Sequence, residues 1–200
     1  MKRPLLIIFL VLVLDQVIKI YIKTHFILGE EYRITNWFII HFTENNGMAY
    51  GMQFAGQYGK IFLSVFRIAA VTFIGYYLWT LVKRKAHWGL ICSFAFIFAG
   101  ALGNIIDSTF YGVLFSDSGY EIAKFLPPDG GYAGFLHGKV VDMLYFPLIE
   151  GHFPSWFPFW GSEEFLFFRP VFNISDSAIT TGVILILLFQ KKFYPKNAMV

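Results

Sequence analysis

Charge is what this sequence has least of. Only 14% of its 200 residues are Asp, Glu, Lys or Arg, against about 25% in an ordinary soluble domain. Water is therefore not the expected solvent for most of its surface. The net charge of +3 is small and no basic run is long enough to follow a phosphate backbone, which excludes a nucleic-acid partner. Cys92 is the single cysteine, so no intramolecular disulfide is possible; it reads as a small apolar residue packed in a helix. His25, His41, His87, His137 and His152 are scattered without ligand spacing, so neither a metal nor another cofactor is expected. The sequence also lacks a GxSxG elbow, an HExxH helix and a fitting Ser/Lys pair. It contains no internal repeat and no low-complexity stretch.

Apolar residues are abundant, at 56% of the chain, and aromatics reach 20%. Four continuous apolar runs, at about 4–22, 61–82, 88–110 and 173–189, suit helices crossing roughly 30 Å of hydrocarbon. The expected fold is thus mainly α: a single membrane-embedded domain, 1–200, with four transmembrane helices. The first run follows Lys2 and Arg3 as a secretory signal would, but it continues through Asp15, Gln16 and Lys19 with no small-residue cleavage pattern, so it is read as a retained helix. Lys2 and Arg3, then Lys83, Arg84 and Lys85, then Lys191, Lys192 and Lys196 fall on one side if the helices alternate. Basic loops stay in the cytoplasm. Both termini are therefore placed in the cytoplasm, and the connections at about 24–60 and 111–172 outside it.

Those outer connections have their own signals. Residues 33–43 are rich in β-branched and aromatic side chains, and Asn46-Gly47 is a hairpin signal, so a small extracytoplasmic β-sheet is expected. Residues 115–138, which contain Gly119, Pro127, Pro128, Gly130, Gly131 and Gly134, read as a mobile loop. Residues 153–168 carry Phe153, Trp156, Phe157, Phe159, Trp160, Phe165, Phe167 and Phe168, as an aromatic segment lying among lipid headgroups would.

An ionisable residue in a membrane helix costs about 3 kcal/mol or more, and so asks for a reason. Asp15 lies in the outer half of the first helix. Asp107 and Asp176 lie at the outer ends of the third and fourth, and Asp142 lies in an outer segment before an apolar stretch. All four carboxyls therefore fall near one depth. Gly100, Gly103, Asn104 and Asp107 share one helix face, as do Asn173, Asp176, Ser177 and Thr180. Asp15 and Lys19, at i, i+4, suit a structural ion pair, and Arg67 is a cation able to partner a carboxyl. Asn104 and Asp107 also suit helix capping, and Asp176 a favourable charge at a helix start. Two facing carboxyls support peptide hydrolysis: one stays protonated, the other takes a proton from attacking water.

Five blocks then carry a resemblance. DQVIK (Asp15–Lys19), NNGMAY (Asn45–Tyr50), GALGNIIDS (Gly100–Ser108), GKVVDMLYF (Gly138–Phe146) and FNISDSAITTG (Phe172–Gly182) occur in the order of the motifs of bacterial lipoprotein signal peptidases. The sequence resembles that family, signal peptidase II, over most of its length. The resemblance implies an intramembrane aspartyl endopeptidase of the bacterial inner membrane. It implies removal of the signal peptide of prolipoproteins just before a diacylglyceryl-modified cysteine, no cofactor, and inhibition by globomycin. It implies a catalytic dyad of Asp142 and Asp176, supporting or substrate-binding roles for Asn45, Asn104, Asp107 and Asn173, and a structural role for Asp15. Membrane lipids and lipidated substrates are the implied partners.

The sequence departs from the family pattern at Ser108, where Arg is usual, at Ser175 for Ala, at Met143 for Phe and at Met48 for a small residue. Arg67 and Arg169 are the candidate replacements for the missing Arg. Segments 108–137 and 146–170 are longer than usual for the family. The competing reading is a small ion- or proton-coupled transporter or channel, since intramembrane carboxylates also mark ion paths. No inverted repeat or broken helix supports it, and the carboxyls gather at one depth instead of crossing the bilayer.

Overall fold

The structure, a computed structural model, describes residues 2–46, 56–152, 154, 156, 164–167 and 170–194. Helix α1 runs from Lys2 to His25. Its polar and apolar residues are inverted relative to a helix in water. Asp15, Lys19 and Lys23 are fully buried, while Leu5, Leu6, Phe9, Leu10 and Val17 are exposed. A soluble amphipathic helix does the reverse, so the solvent this helix is built for is lipid.

Among the described residues, three helices are long and apolar enough to cross a membrane. They are α1, the Ile61–Lys83 part of α2 (Gly56–Lys83), and a continuous Trp88–Leu114 helix. The last combines α3 (Trp88–Ile106), a π-helical turn (Asp107–Tyr111) and the short α4 (Gly112–Leu114). Helix α5 (Ile174–Leu188) is apolar but has only 15 residues, about 22 Å of helix against roughly 30 Å of hydrocarbon. The four-residue α6 (Gln190–Phe193) follows it after Phe189. The run expected at 173–189 is therefore helical, yet shorter by itself than the other three.

Helix α3 is the hub. Gly100 and Gly103 face Ser175 on α5: a Cβ at Gly100 would overlap the Ser175 carbonyl oxygen, and one at Gly103 would overlap Ser175 Oγ and come within 2.7 Å of Asp15 Oδ2. Gly182 does the same in the other direction, its Cα lying against the Ser93 carbonyl and Ile97 of α3. Such small residues let helix backbones approach closely enough for polar groups to meet between them.

A four-stranded antiparallel sheet in the order β1-β2-β3-β6 sits at the carboxyl-bearing end, formed by Glu31–Thr35, Phe38–Asn45, Val140–Tyr145 and Val171–Phe172. A second, two-stranded sheet pairs β4 (Ile149–His152) with β5 (Glu164–Phe167). The β1–β2 hairpin turn is at Asn36 and Trp37, and the Asn46-Gly47 signal falls at the edge of the described residues. Strand β2 ends at Asn45 and Gly47 lies outside the described residues, while the second partner of β2 is the distant β3. A local hairpin signal cannot reveal a partner about a hundred residues away.

Segment 115–138 is irregular, as expected of a loop, and it packs against the rest of the protein. Phe115 and Ala123 enter a core cluster with Ile22, Phe42, Tyr111, Val141 and Met143. Lys23 reaches Ser118 Oγ at 2.7 Å and pairs with Glu44, which also binds Lys139 at 2.9 Å. Tyr132 lies beneath both ammonium groups and accepts a hydrogen bond from the Lys139 amide. The glycines and prolines shape this segment's turns without loosening it. Of the aromatic segment 153–168, Trp156 is exposed; most of its other aromatic residues lie outside the described residues.

Gly100→Ala should cost about 1–3 kcal/mol through overpacking against the Ser175 backbone. Gly134→Ala, where a Cβ would meet nothing within 4 Å, should change stability by no more than about 0.5 kcal/mol. Thermal unfolding of the two variants in the same detergent checks the contrast, and equal melting temperatures would contradict the close α3–α5 packing.

Candidate active site

Asn173 brings two carboxyls together. It is the N-cap of α5, where its Oδ1 accepts the Asp176 amide at 2.9 Å and its own amide donates to Asp176 Oδ2 at 3.4 Å. This is a reciprocal capping box, with Asp176 at the third helical position. The same Asn173 turns its Nδ2 to Asp142 Oδ1 at 2.7 Å. Asp142 stands on β3, in register with Thr43 of β2. One residue between a strand and a helix thus holds a carboxyl on each. Asn45, at the end of β2, also hydrogen-bonds Asp142.

The surroundings of the two carboxyls differ. Asp142 is buried, while Asp176 is only half-buried and sits at the positive end of α5. Burial first, then the neighbouring Asp176 charge, raises the Asp142 carboxyl to about 7; Asn173, Lys19 and Asn45 pull it partly back. The Arg67 guanidinium on α2 lies within electrostatic range of both Asp176 and Asp142.

A second polar layer lies beneath the first. Lys19 Nζ contacts Asp15 Oδ2 at 2.9 Å, Asp107 Oδ2 at 2.7 Å and Asn104 Oδ1 at 2.9 Å. All three donors of the ammonium are thereby used. Asn104 passes the connection on, its Nδ2 donating to Asp176 Oδ1 at 2.8 Å. Gln16 Nε2 binds Asp107 Oδ1 at 2.9 Å and Asp15 Oδ2 at 3.1 Å, and Tyr111 donates to Gln16 Oε1 at 3.2 Å. Asp15 Oδ1 accepts the Ser175 amide at 2.9 Å, and Asp107 Oδ2 accepts the Val141 amide at 3.4 Å. Every carboxylate of this layer is tied to the backbone of an element carrying one of the upper pair.

The structure therefore brings together all seven candidate residues: Asp142, Asp176, Asn45, Asn104, Asp107, Asn173 and Asp15. The i, i+4 reading of Asp15 and Lys19 holds, but the pair is only part of what Lys19 does. Gln16 and Tyr111 were not singled out from the sequence. A lone Gln in an apolar helix was the available signal, whereas Tyr111 has none. Ser108, where Arg was expected, donates to the Asn104 carbonyl of its own helix at 3.0 Å. Ser175 Oγ is buried against Gly103 and has no hydrogen-bond partner among the described residues. No group of three or more His, Cys, Asp or Glu side chains suited to a metal ion occurs among the described residues.

Lys19→Met should cost about 3–5 kcal/mol of stability, because it leaves two buried carboxylates without a cation. Chemical denaturation in mixed micelles would measure it, and a loss under about 1 kcal/mol would show that the ammonium does not hold this layer.

The family model described as signal peptidase (SPase) II matches residues 7–191. The lipoprotein signal peptidase of Porphyromonas gingivalis is 54% identical over 180 residues, covering 90% of this chain and 78% of that protein. The lipoprotein signal peptidase of Amoebophilus asiaticus is 38% identical over 187 residues, covering 91% and 75%. A solved structure of a bacterial membrane enzyme shares the fold at a TM-score of 0.62 with 24% identity, covering 97% of this chain and 96% of that one.

Proposed function

This chain belongs to the signal peptidase II family, and from that membership we propose that Asp142 and Asp176 are its catalytic dyad. It is an aspartic-type peptidase and a multi-pass membrane protein acting on prolipoproteins. The proposed reaction removes the signal peptide immediately before a diacylglyceryl-modified cysteine. The observation that carries the dyad is the double grip of Asn173, which holds a strand carboxyl and a helix carboxyl at one place.

In this reading Asp176 is the partner that accepts the proton from water; its carboxylate stands at the start of α5 and accepts the Asn104 amide. Asp142 starts protonated, favoured by its burial. Asp176 takes a proton from water as the oxygen attacks the scissile carbonyl. Asp142 gives its proton to the carbonyl oxygen, forming a neutral gem-diol. Asp176 then passes its proton to the cysteine nitrogen as the C–N bond breaks. Asp142 recovers a proton from a gem-diol hydroxyl, which leaves the signal peptide as an acid and the dyad as it began. Asp107, engaged with Lys19 and Gln16, braces the site, and Arg67 supplies the cation that Ser108 does not.

We place α5 and its extension as a fourth spanning segment, with both termini in the cytoplasm and the carboxyls toward the extracytoplasmic face of the inner membrane. The basic residues at 2–3, 83–85 and 191–192 support that orientation. The aromatic residues at 153–168 would then lie at the outer interface. Incubating the purified protein with a diacylglyceryl prolipoprotein, with and without globomycin, tests the reaction; no cleavage of the lipidated substrate would overturn it.

Asp142→Asn and Asp176→Asn should each abolish turnover, by at least about a thousandfold, and leave the protein folded. Asp107→Asn should keep measurable activity. Robust cleavage by either dyad variant, with the wild-type substrate, would remove the assignment.

The proton on Asp142 gives a pH signature. Below about 7 the carboxyl keeps its proton and the dyad is competent; above it both carboxyls ionise and the rate falls. For stability the sign is the same. The unfolded carboxyl ionises in its ordinary range while the folded one stays protonated to about 7, so this group makes the fold less stable as pH rises through that window. A pH profile of kcat/KM should show an alkaline limb near neutrality, and a flat profile up to pH of about 9 would contradict it.

A further inference from the structure

The segment from 115 to 137 does not belong to the active site, yet it is folded against the outer end of the Trp88–Leu114 helix. Its return path donates Tyr132 N to the Phe115 carbonyl, Ala133 N to Gly112, Leu136 N to Thr109 and Gly138 N to Ser108, all at 2.9–3.1 Å. The acceptors at 108–112 belong to the last turns of a helix apolar enough to span a membrane. Residues 133–138 are thus non-helical backbone at the depth of the spanning helix. Such backbone is tolerated there only where its polar groups are satisfied by protein, and these bonds satisfy them.

The outward side chains at this level are apolar. Phe110, Val113, Phe125, Leu126 and Phe135 are all exposed, and Phe110 and Phe135 meet edge to face with centroids 5.7 Å apart. Phe110 and Val113 belong to the spanning helix itself, so the patch continues a surface that faces lipid. On the inner side, Ser64 Oγ of α2 donates to the Leu136 carbonyl at 3.1 Å, so the segment is wedged beside a second spanning helix. Lys124 and Asp129 are exposed on either side of Phe125–Leu126, and the long Lys124 stem lets its ammonium reach the headgroup level. Residues 114–116 pair with 124–126, and the tip between them carries exposed Asp117 and Glu121.

The backbone at Leu126 points the same way. Leu126 has φ +51° and is 63% exposed. A left-handed conformation favours glycine, and an exposed leucine gains nothing from water. A large apolar side chain at such a position is favourable when its surroundings are hydrocarbon.

We propose that segment 115–137 is a membrane wedge whose Phe125–Leu126 and Phe135 edge is inserted into the lipid leaflet at the carboxyl-bearing end, with its 117–121 tip in water. The occupant of this surface is the bulk leaflet, independent of substrate. The wedge sets the depth of the site, because it leads through Gly138, packed against the Asp107 carbonyl, directly into β3 and Asp142.

Nitroxide accessibility tests it without substrate. Leu126→Cys, Phe135→Cys and Glu121→Cys, each in a Cys92→Ser background, would be labelled and reconstituted into phosphatidylethanolamine–phosphatidylglycerol bilayers. The ratio of oxygen to nickel-chelate collisions should be at least about fivefold higher at 126 and 135 than at 121, as expected for acyl-chain against aqueous positions. A ratio at either 126 or 135 equal to that at 121 would overturn the wedge, and leaves the catalytic assignment untouched.

Discussion

The Lys19 ammonium is the charge on which the rest of this structure depends. It is fully buried, in a helix whose other flank faces lipid. A lone ammonium in that place would be very costly. It is retained because three oxygens surround it, one from α1, one from α3 and one from the π-helical turn. Those oxygens are equally costly without it. Asp15 and Asp107 are buried with it, and each also accepts a backbone amide from β3 or α5. Helix, sheet and second helix are therefore registered by one cation, and the glycines of α3 matter because only they allow the close approach.

The same ammonium settles an orientation that sequence leaves open. A carboxamide can point either way, but Lys19 can only donate. Facing it, Asn104 must present its oxygen, so its nitrogen is directed to Asp176. Asn173 repeats the logic: its oxygen is committed to the Asp176 amide, so its nitrogen is directed to Asp142. Two asparagines, each with one end fixed, translate a buried charge into the hydrogen bonding of the two upper carboxyls. The inequality between those carboxyls then follows from where each stands. One is buried in a strand; the other is half-open at a helix start.

Much of this was legible in the residue types. A carboxylate, a carboxamide and small residues at i, i+3, i+4, i+7 identified the inward face of α3, and a shared depth for four aspartates identified the site. The contacts of Lys19 beyond its own helix were not legible, because i, i+4 spacing offers a complete local explanation and hides a long-range one. The packing of the 115–138 loop was not legible for a related reason. Its glycines and prolines are turn formers, and composition does not distinguish a turn that is free from one pinned by Lys23, Glu44 and Ser118. Strand β3 was unrecognised as the partner of β2 because pairing at a distance leaves no periodic trace in either strand.

Ser108 and Arg67 differ in what they bring near the two carboxyls. Ser108 spends its hydroxyl on the carbonyl of Asn104 and offers the carboxyls no charge. Arg67, on another spanning helix, lies within electrostatic range of the same two carboxyls. A cation need not come from a particular backbone position to stabilise a nearby negative charge, since Coulomb attraction has no bond geometry to preserve. Hydrogen-bonded groups have no such freedom. The orientation of Asn173 depends on both the cap of α5 and the register of β3, and shifting either would separate the pair. The residues that aim the carboxyls are therefore fixed in place, whereas a neighbouring cation is under no such constraint.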